Sequence, residues 1–310
     1  MLSKRVVESL EELGPICQKP NYREVGNWYA RRVIRDAALP ITRLLLYTGV
    51  TANQVTAISL ILGLLGISLF ASPSPIVFLL GTFLLQVWYL LDHVDGQIAR
   101  YRKTSSLTGR FFDFLTHHLI HGVIFFSLGY YGFGLSGISL LVVWGFLASL
   151  LMMLFNLLSD TKYKTFFEAL SGERGFEIVT SEKTEEVRPT RVKGGILERI
   201  TSFCEKCLGL VKRRRFRQLF SGHSIKEAFR GIYSFCHKLS EIHVLMNILT
   251  VSSLLNLMPT FPIDLRLALL LFYGTTVPLM TLVKIIYWIA RGKIDQEFNL
   301  TFEETKVVTR

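Results

Sequence analysis

Six long apolar runs constrain this chain more than any other feature. They fall at about residues 53–71, 76–91, 111–130, 135–158, 242–258 and 265–289. Each is close to the roughly 20 residues that a helix needs to cross a bilayer. Backbone polar groups in hydrocarbon must be satisfied within the spanning element, so runs of this length point to helices. The chain is 50% hydrophobic with a mean hydropathy of +0.38, which excludes an ordinary soluble domain. The expected fold is an all-α integral membrane protein with six transmembrane helices, an N-terminal interfacial amphipathic helix and a cytoplasmic helical insertion. Ser72-Pro73-Ser74-Pro75, a Gly/Ser-rich stretch at 132–137 and residues 259–262 are the expected turns between paired spans. The expected segments are 1–50 (arm and interfacial helix), 51–158 (spans one to four), 159–241 (insertion), 242–290 (spans five and six) and 291–310 (tail).

Charge sets the expected orientation. The net charge is +11. In a chain this apolar, the excess points to cytoplasmic loops and anionic lipid rather than nucleic acid. The linkers at 72–75 and 131–134 have no Lys or Arg, and the last hairpin has only Arg266 nearby. The N-terminal arm, the 100–110 loop, residues 159–241 and the tail are rich in both. The positive-inside rule therefore places both termini and the 92–117 stretch in the cytoplasm of a multi-pass protein. Residues 1–14 are charged and lack the apolar core of a signal peptide. Residues 22–48 read as an amphipathic helix lying in the membrane interface, with Pro40 as a candidate break. Trp28, Tyr29, Val33, Ile34 and Leu39 alternate there with Arg31, Arg32 and Arg35.

Within 159–241, residues 172–195 read as a flexible loop. Ile196, Leu197, Ile200, Phe203, Cys207 and Leu210 mark one amphipathic helix. Ile225, Phe229, Ile232, Phe235, Cys236 and Leu239 mark a second. The basic run at 212–217 between them favours docking on an anionic membrane surface. Cys204, Cys207, His223 and the Cys236-His237 pair have zinc-ligand chemistry without supporting spacing, so buried or membrane-adjacent thiols are the simpler reading.

Ionisable residues beside a membrane span are expensive and point to function. If the second span continues as helix past Leu91, then Asp92, Asp95, Gly96 and Ala99 share one face at i, i+3, i+4 and i+7. Carboxylates one turn apart can share a hard cation such as Mg²⁺ or Mn²⁺. Gly96 and Ala99 leave room for a flat ligand against the backbone. Gly109, Asp113 and His117 repeat the device on the next helix, so two facing helix ends would form a metal-lined cleft.

This pattern resembles the signature of the CDP-alcohol phosphotransferase (CDP-alcohol phosphatidyltransferase) family. That signature reads Asp, two residues, Asp-Gly, two residues, Ala-Arg, eight residues, Gly, three residues, Asp, three residues, Asp. Asp92, Asp95, Gly96, Ala99, Arg100, Gly109 and Asp113 match in register, and His117 stands where the family has its last aspartate, the general base. The resemblance covers residues 22 to about 158. It implies a six-span homodimer that transfers a substituted phosphate from a CDP-linked donor to an alcohol, with one of the two a lipid, and releases CMP. It assigns one or two Mg²⁺ or Mn²⁺ ions to Asp92, Asp95 and Asp113. Gly96, Ala99 and Gly109 would make room for cytidine, and Arg100 and Arg110 would pair with phosphate. The stretch from Thr51 to Thr56 is similar to a Pro-Asn-x-x-Thr opening in one branch of the family, with Ala52 replacing the proline. That branch favours a soluble CDP-alcohol donor and a lipid acceptor, and places Asn53 and Thr56 at the nucleotide. The plainer alternative has Thr51 as a helix cap.

Three roles compete for His117. It is the general base, or a nitrogen ligand that shifts metal preference toward Mn²⁺, Co²⁺ or Zn²⁺, or the mark of a site that binds without turnover. His118 or His121 is a candidate to orient it. The retained carboxylates favour an enzyme. The alternatives are a CDP-donor hydrolase, or a catalytically impaired membrane scaffold that binds lipid or a partner through 159–241. With His117 as the base, activity falls with acid below roughly pH 6.5. His117→Ala then keeps donor binding but loses CMP release, and His117→Asp restores part of it. Normal turnover in His117→Ala removes the base reading.

Overall fold

Short-range capping starts the helices where the sequence has its polar punctuation. The computed structural model describes residues 7–19, 22–24, 26–171, 223–258, 263–290, 292, 294–295 and 297–298. Its first helix, α1 (Leu10–Cys17), opens with a capping box between Ser9 and Glu12. After a π-helical turn at Ala30–Ile34 comes α2 (Arg35–Leu46). Thr51 and Gln54 form a second capping box that starts α3 (Ala52–Ser68), with the backbone N–H of Thr51 donating to Gln54 Oε1 at 2.8 Å. The plainer reading of Thr51 is thus realised. Pro75 needs no N–H partner in the first turn of α4 (Pro75–Tyr101). Ser106 caps α5 (Leu107–Ser136) by accepting from the Gly109 N–H at 3.0 Å. Then come α6 (Leu140–Ser171), α7 (His223–Leu239), α8 (Ile242–Leu255) and α9 (Leu265–Ala290).

Among the described residues, five helices are long and apolar enough to cross a membrane: Ala52–Ala71, Pro75–Tyr101, Leu107–Ser136, Leu140–Phe166 and Leu265–Ile289. The sixth expected span is α8, which has 14 residues. At about 1.5 Å per residue it covers roughly 21 Å, short of a hydrocarbon core of about 30 Å. Asn256 ends it: its side chain accepts from the Leu265 N–H and donates to Asp264, which turns the chain early. Two other expectations also change. The turn placed at 132–137 is helix through Ser136, closed by Gly137 at φ 72°. Gly132 packs inside it against Leu141 and Leu267. Pro40 does not break α2, because both Pro40 and Asp36, whose carbonyl loses its helical donor, lie on the exposed side.

The chain divides into two units. The first contains Met1–Asp160 and Leu239–Lys284. In it α3 packs along α4, and their backbones touch at Gly66 and Gly81: a Cβ on Gly81 would lie 2.5 Å from the Gly66 carbonyl oxygen. A Cβ on Gly145 of α6 would lie 2.4 Å from the Phe125 carbonyl oxygen of α5. Phe70, Phe78, Leu85, Trp88, Ile120, Ile124, Phe125 and Leu249 fill the core between the helices. Within the stretch expected as an interfacial helix, α2 turns one face onto α4. Ala38 and Leu46 meet Val94 and Ile98, and Gln97 accepts from the Thr42 hydroxyl at 2.6 Å and donates to the Arg35 carbonyl at 3.0 Å. The second unit contains Thr161–Lys238 and Ile285–Arg310. In it Lys162 pairs with Glu297 at 2.7 Å, and Ile232 and Phe235 of α7 are exposed. The other helix expected in the insertion, the loop at 172–195, the basic run and Cys204 and Cys207 lie outside the described residues.

At the end of α4 away from the motif, Arg266 ties three connections together. Only 3% exposed, it donates to the Ser72 carbonyl at 2.7 Å, the Tyr131 hydroxyl at 2.6 Å and Asp264 at 3.1 Å, and stacks on the Tyr131 ring at 3.5 Å. Removing one partner of a buried pair strands the other. Arg266→Leu is expected to cost on the order of 3 kcal/mol, read as a lower thermal midpoint in detergent. Burial raises the Asp264 carboxyl, but the bonds from Arg266 and Tyr131 outweigh it and hold the group below the ordinary value of 3.8. A lowered carboxylate stabilises above its unfolded pKa and loses that contribution as pH falls through the folded one. The stability deficit of Asp264→Asn is therefore expected to be constant from about pH 5 to 8 and to shrink below about pH 4; a deficit that grows in acid contradicts the assignment.

Candidate metal and substrate site

Because α4 runs unbroken to Tyr101, it carries Asp92, Asp95, Gly96, Ala99 and Arg100 beyond the apolar span on helical spacing. The chain leaves through Arg102, which donates to the Val50 and Thr48 carbonyls, and Lys103 at φ 55°. It re-enters helix at α5, whose first turns carry Gly109, Arg110, Asp113 and His117.

Three of these side chains meet. His117 Nε2 lies 3.0 Å from Asp92 Oδ1 and 3.5 Å from Asp113 Oδ1. One ligand atom from each of the three residues falls within 4.8 Å of the others, a group able to hold a metal ion. Two carboxylate oxygens and an imidazole nitrogen suit a divalent first-row ion or Mg²⁺. The group is half-buried, with Asp92 12% and Asp113 44% exposed. Trp88 closes its inner wall, edge-on to the His117 ring at 5.3 Å.

Asp95 is outside this trio. Its carboxylate is buried and accepts from the Thr56 hydroxyl at 2.5 Å. Thr56, expected at the nucleotide, is thus a partner of Asp95. Asn53 is exposed in the first turn of α3 and faces Gly109, where a Cβ would lie 3.2 Å from Asn53 Oδ1. The missing side chain of Gly109 brings α5 up to α3. The space over Gly96, expected to admit a ligand, is taken by Arg100: a Cβ on Gly96 would lie 3.2 Å from Arg100 Nη1. Arg100 Nε donates to the Cys17 carbonyl, so α1 reaches the motif. Tyr101 donates to Glu8 at 2.6 Å and holds that carboxyl below the ordinary range. Burial pushes the Cys17 thiol up to about 11, so it stays protonated at neutral pH and is not a nucleophile. Arg110 is exposed and Ala99 half-buried.

His118 and His121 turn to α6 rather than to His117. His118 Nε2 is 3.1 Å from Asp160, and His121 Nδ1 accepts from Asn156 at 2.9 Å. Two site neighbours were not anticipated, Trp88 and His93. His93 follows Asp92 directly, and its Nδ1 lies 3.7 Å from Asp92 Oδ2. An imidazole placed between two motif aspartates was the available signal. Of the zinc candidates, Cys236 is half-buried and not in a disulfide.

Residues 49–173, less than half of the chain, match the family model for CDP-alcohol phosphatidyltransferase. Those residues are thus similar to a family that transfers phosphate-linked groups from CDP-alcohols, and all the motif residues lie within them. No curated protein matches the chain. The match overlaps four of the five helices of spanning length found among the described residues.

The Thr56–Asp95 bond gives a local prediction. Thr56→Val keeps the shape but leaves a buried carboxylate oxygen without its donor, at a cost of about 1–3 kcal/mol. The thermal midpoint should fall, and Thr56→Ser should recover most of the loss; equal stability of the Val and wild-type proteins contradicts the bond.

Proposed function

We propose that the chain uses the matched residues to move a substituted phosphate from a CDP-linked donor to an alcohol, releasing CMP, in the synthesis of phospholipids or related phosphodiesters. The observation that carries the reading is the meeting of Asp92, Asp113 and His117 at two adjoining helix ends inside the matched residues. These three would hold a divalent ion, which would neutralise the donor's pyrophosphate and the departing CMP. His117 fits the ligand role better than the base role. Its Nε2, the atom that would take a proton, is the atom facing both carboxylates. Nitrogen in the donor set favours Mn²⁺ over Mg²⁺.

The other residues take supporting roles. Asp95, held by Thr56, adds negative charge one turn along α4 and is the candidate for a second ion. Asn53, Ala99 and Gly109 border the place for cytidine, and Arg100 and Arg110 supply positive charge for phosphate. The acceptor oxygen bonds to the phosphorus that carries the donor's substituent. The bond from that phosphorus to the CMP oxygen breaks, CMP leaves, and the acceptor's proton goes to Asp113, the more exposed carboxylate of the trio. In this reading α8 completes a six-helix membrane core with both termini and the site on the cytoplasmic side. Two copies form a homodimer, and the basic 159–241 region faces anionic lipid, as the distribution of Lys and Arg supports.

CMP release from a panel of CDP-linked donors supplied with lipid extract tests this. Chelation should abolish release, Mn²⁺ should restore it more fully than Mg²⁺, and His117→Asp should reverse that order. Release that survives chelation, or no release from any donor, overturns the reading.

A further inference from the structure

The amino-terminal arm is fastened to the last turn of α4 at both of its ends. Just before α1, the Glu8 carboxylate accepts from the Tyr101 hydroxyl at 2.6 Å, and the Glu8 carbonyl accepts from Arg43 Nε at 3.0 Å. At the other end, the Cys17 carbonyl accepts from Arg100 Nε, and the Gln18 side chain donates to the Arg35 carbonyl at 3.2 Å. Between these points Leu13 and Cys17 are fully buried, in one cluster with Ala38, Val94 and Ile98. The helix has little stability of its own. It has eight residues, Gly14 and Pro15 among them, and isolated helices below about 12 residues are marginal in water. Its order therefore depends on the surface it covers. That surface includes two consecutive motif-end residues of α4, although the arm itself lies outside the residues that match the family model.

Arg100 is the joint. A guanidinium carries its N–H donors in one rigid plane, so fixing one nitrogen fixes the direction of the others. Nε takes the arm. Nη1 and Nη2 lie over Gly96, at 3.2 and 3.3 Å from where a Cβ would stand, and make no hydrogen bond among the described residues. Asp92, Gly96 and Arg100 follow one another at i, i+4 and i+8 on α4. Side chains lean toward the start of their helix, so the free edge of the guanidinium is carried toward the turn of Asp92. An edge with two parallel donors matches a phosphate.

We propose that the arm is a positioning element of the site: Cys17, through its carbonyl, and Glu8, through Tyr101, hold the Arg100 guanidinium so that Nη1 and Nη2 receive a phosphate anion, and the bound anion holds the arm closed in return. The use of that anion as the CDP end of a donor rests on the transferase reading; the coupling of arm and anion does not.

Cys17 reports on the arm, because its buried thiol is alkylated only when the arm lifts. The full-length protein in detergent is treated with N-ethylmaleimide, and the Cys17 peptide is quantified by mass spectrometry. Saturating CDP with Mn²⁺ should slow Cys17 alkylation about tenfold, and cytidine with Mn²⁺ should leave it unchanged. Arg100→Lys keeps the charge but cannot serve both partners. It should speed alkylation without ligand and reduce the effect of CDP to less than about twofold. Leu13→Asp puts a charge into the arm's contact with the core and should lift the arm. The CDP concentration at half-saturation should then rise about tenfold, the same factor seen from the other side. Combining Leu13→Asp with Arg100→Lys should lose no more than either alone. The milder Tyr101→Phe should speed Cys17 alkylation about fivefold and leave the CDP effect in place, which tests the arm even where Leu13→Asp does not fold. Alkylation insensitive to CDP, slowed equally by cytidine, or still slowed by CDP in Arg100→Lys overturns the proposal, as do additive losses in the double variant. In CMP-release assays Leu13→Asp should raise the KM for the CDP-linked donor about tenfold and leave kcat within about twofold; an unchanged KM overturns the positioning role. Protection of Cys17 as expected, with no CMP release from any donor, would sink the transferase reading and leave the coupling standing.

Discussion

The imidazole of His117 between the carboxylates of Asp92 and Asp113 is the contact on which the motif end depends. Two carboxylates about 5 Å apart repel by roughly 3 kcal/mol at an effective dielectric of about 20. Apolar helices cannot bring such groups together unless something between them carries a proton or a positive charge. Nε2 of His117 stands in that position, 3.0 Å from one carboxylate and 3.5 Å from the other. Trp88 limits where the ring can go. A metal ion would occupy the same electrostatic position, which is why the trio reads as a ligand group rather than as an isolated ion pair.

That convergence is held from below by packing without freedom to slide. The contact of Gly66 with Gly81, and of Gly145 with Phe125 and Gly129, sets backbone against backbone in the α3–α4 and α5–α6 pairs. Arg266 joins the α3–α4 turn, α5 and the start of α9 at the far end. Helices pinned along their length and at one end have few ways to separate their other ends. The site is therefore preorganised by features outside its own helix ends.

Much of this was legible in the chain. The spacing of Asp92, Asp95, Gly96 and Ala99 required helix beyond Leu91, and α4 provides it. His117 stood out because it alone departed from a regular pattern. The rest was not legible because it depends on partners distant in sequence. Nothing local says that Arg100 will reach the Cys17 carbonyl, or that Thr56 will spend its hydroxyl on Asp95. At residues 242–258 the apolar run is longer than the helix, because the side chain of Asn256 bonds the chain beyond Leu255. At 132–137, glycines that read as a turn are packing surfaces inside a helix. His93 reads as a spacer in the sequence, although in the fold its ring meets Tyr89 edge-on and lies beside Asp92.

The contact of Arg100 with Gly96 and with the Cys17 carbonyl has a consequence for how such a chain can change. Gly96 has no side chain, and the guanidinium lies across it while its Nε holds the end of α1. A methyl group at 96 would lie 3.2 Å from Arg100 Nη1, so the guanidinium would have to give by a few tenths of an ångström while its Nε still reaches the Cys17 carbonyl. Positions 96, 100 and the segment ending at 17 are therefore physically linked through one guanidinium. A substitution at the motif glycine is therefore felt first at the amino-terminal helix, through the arginine that lies between them.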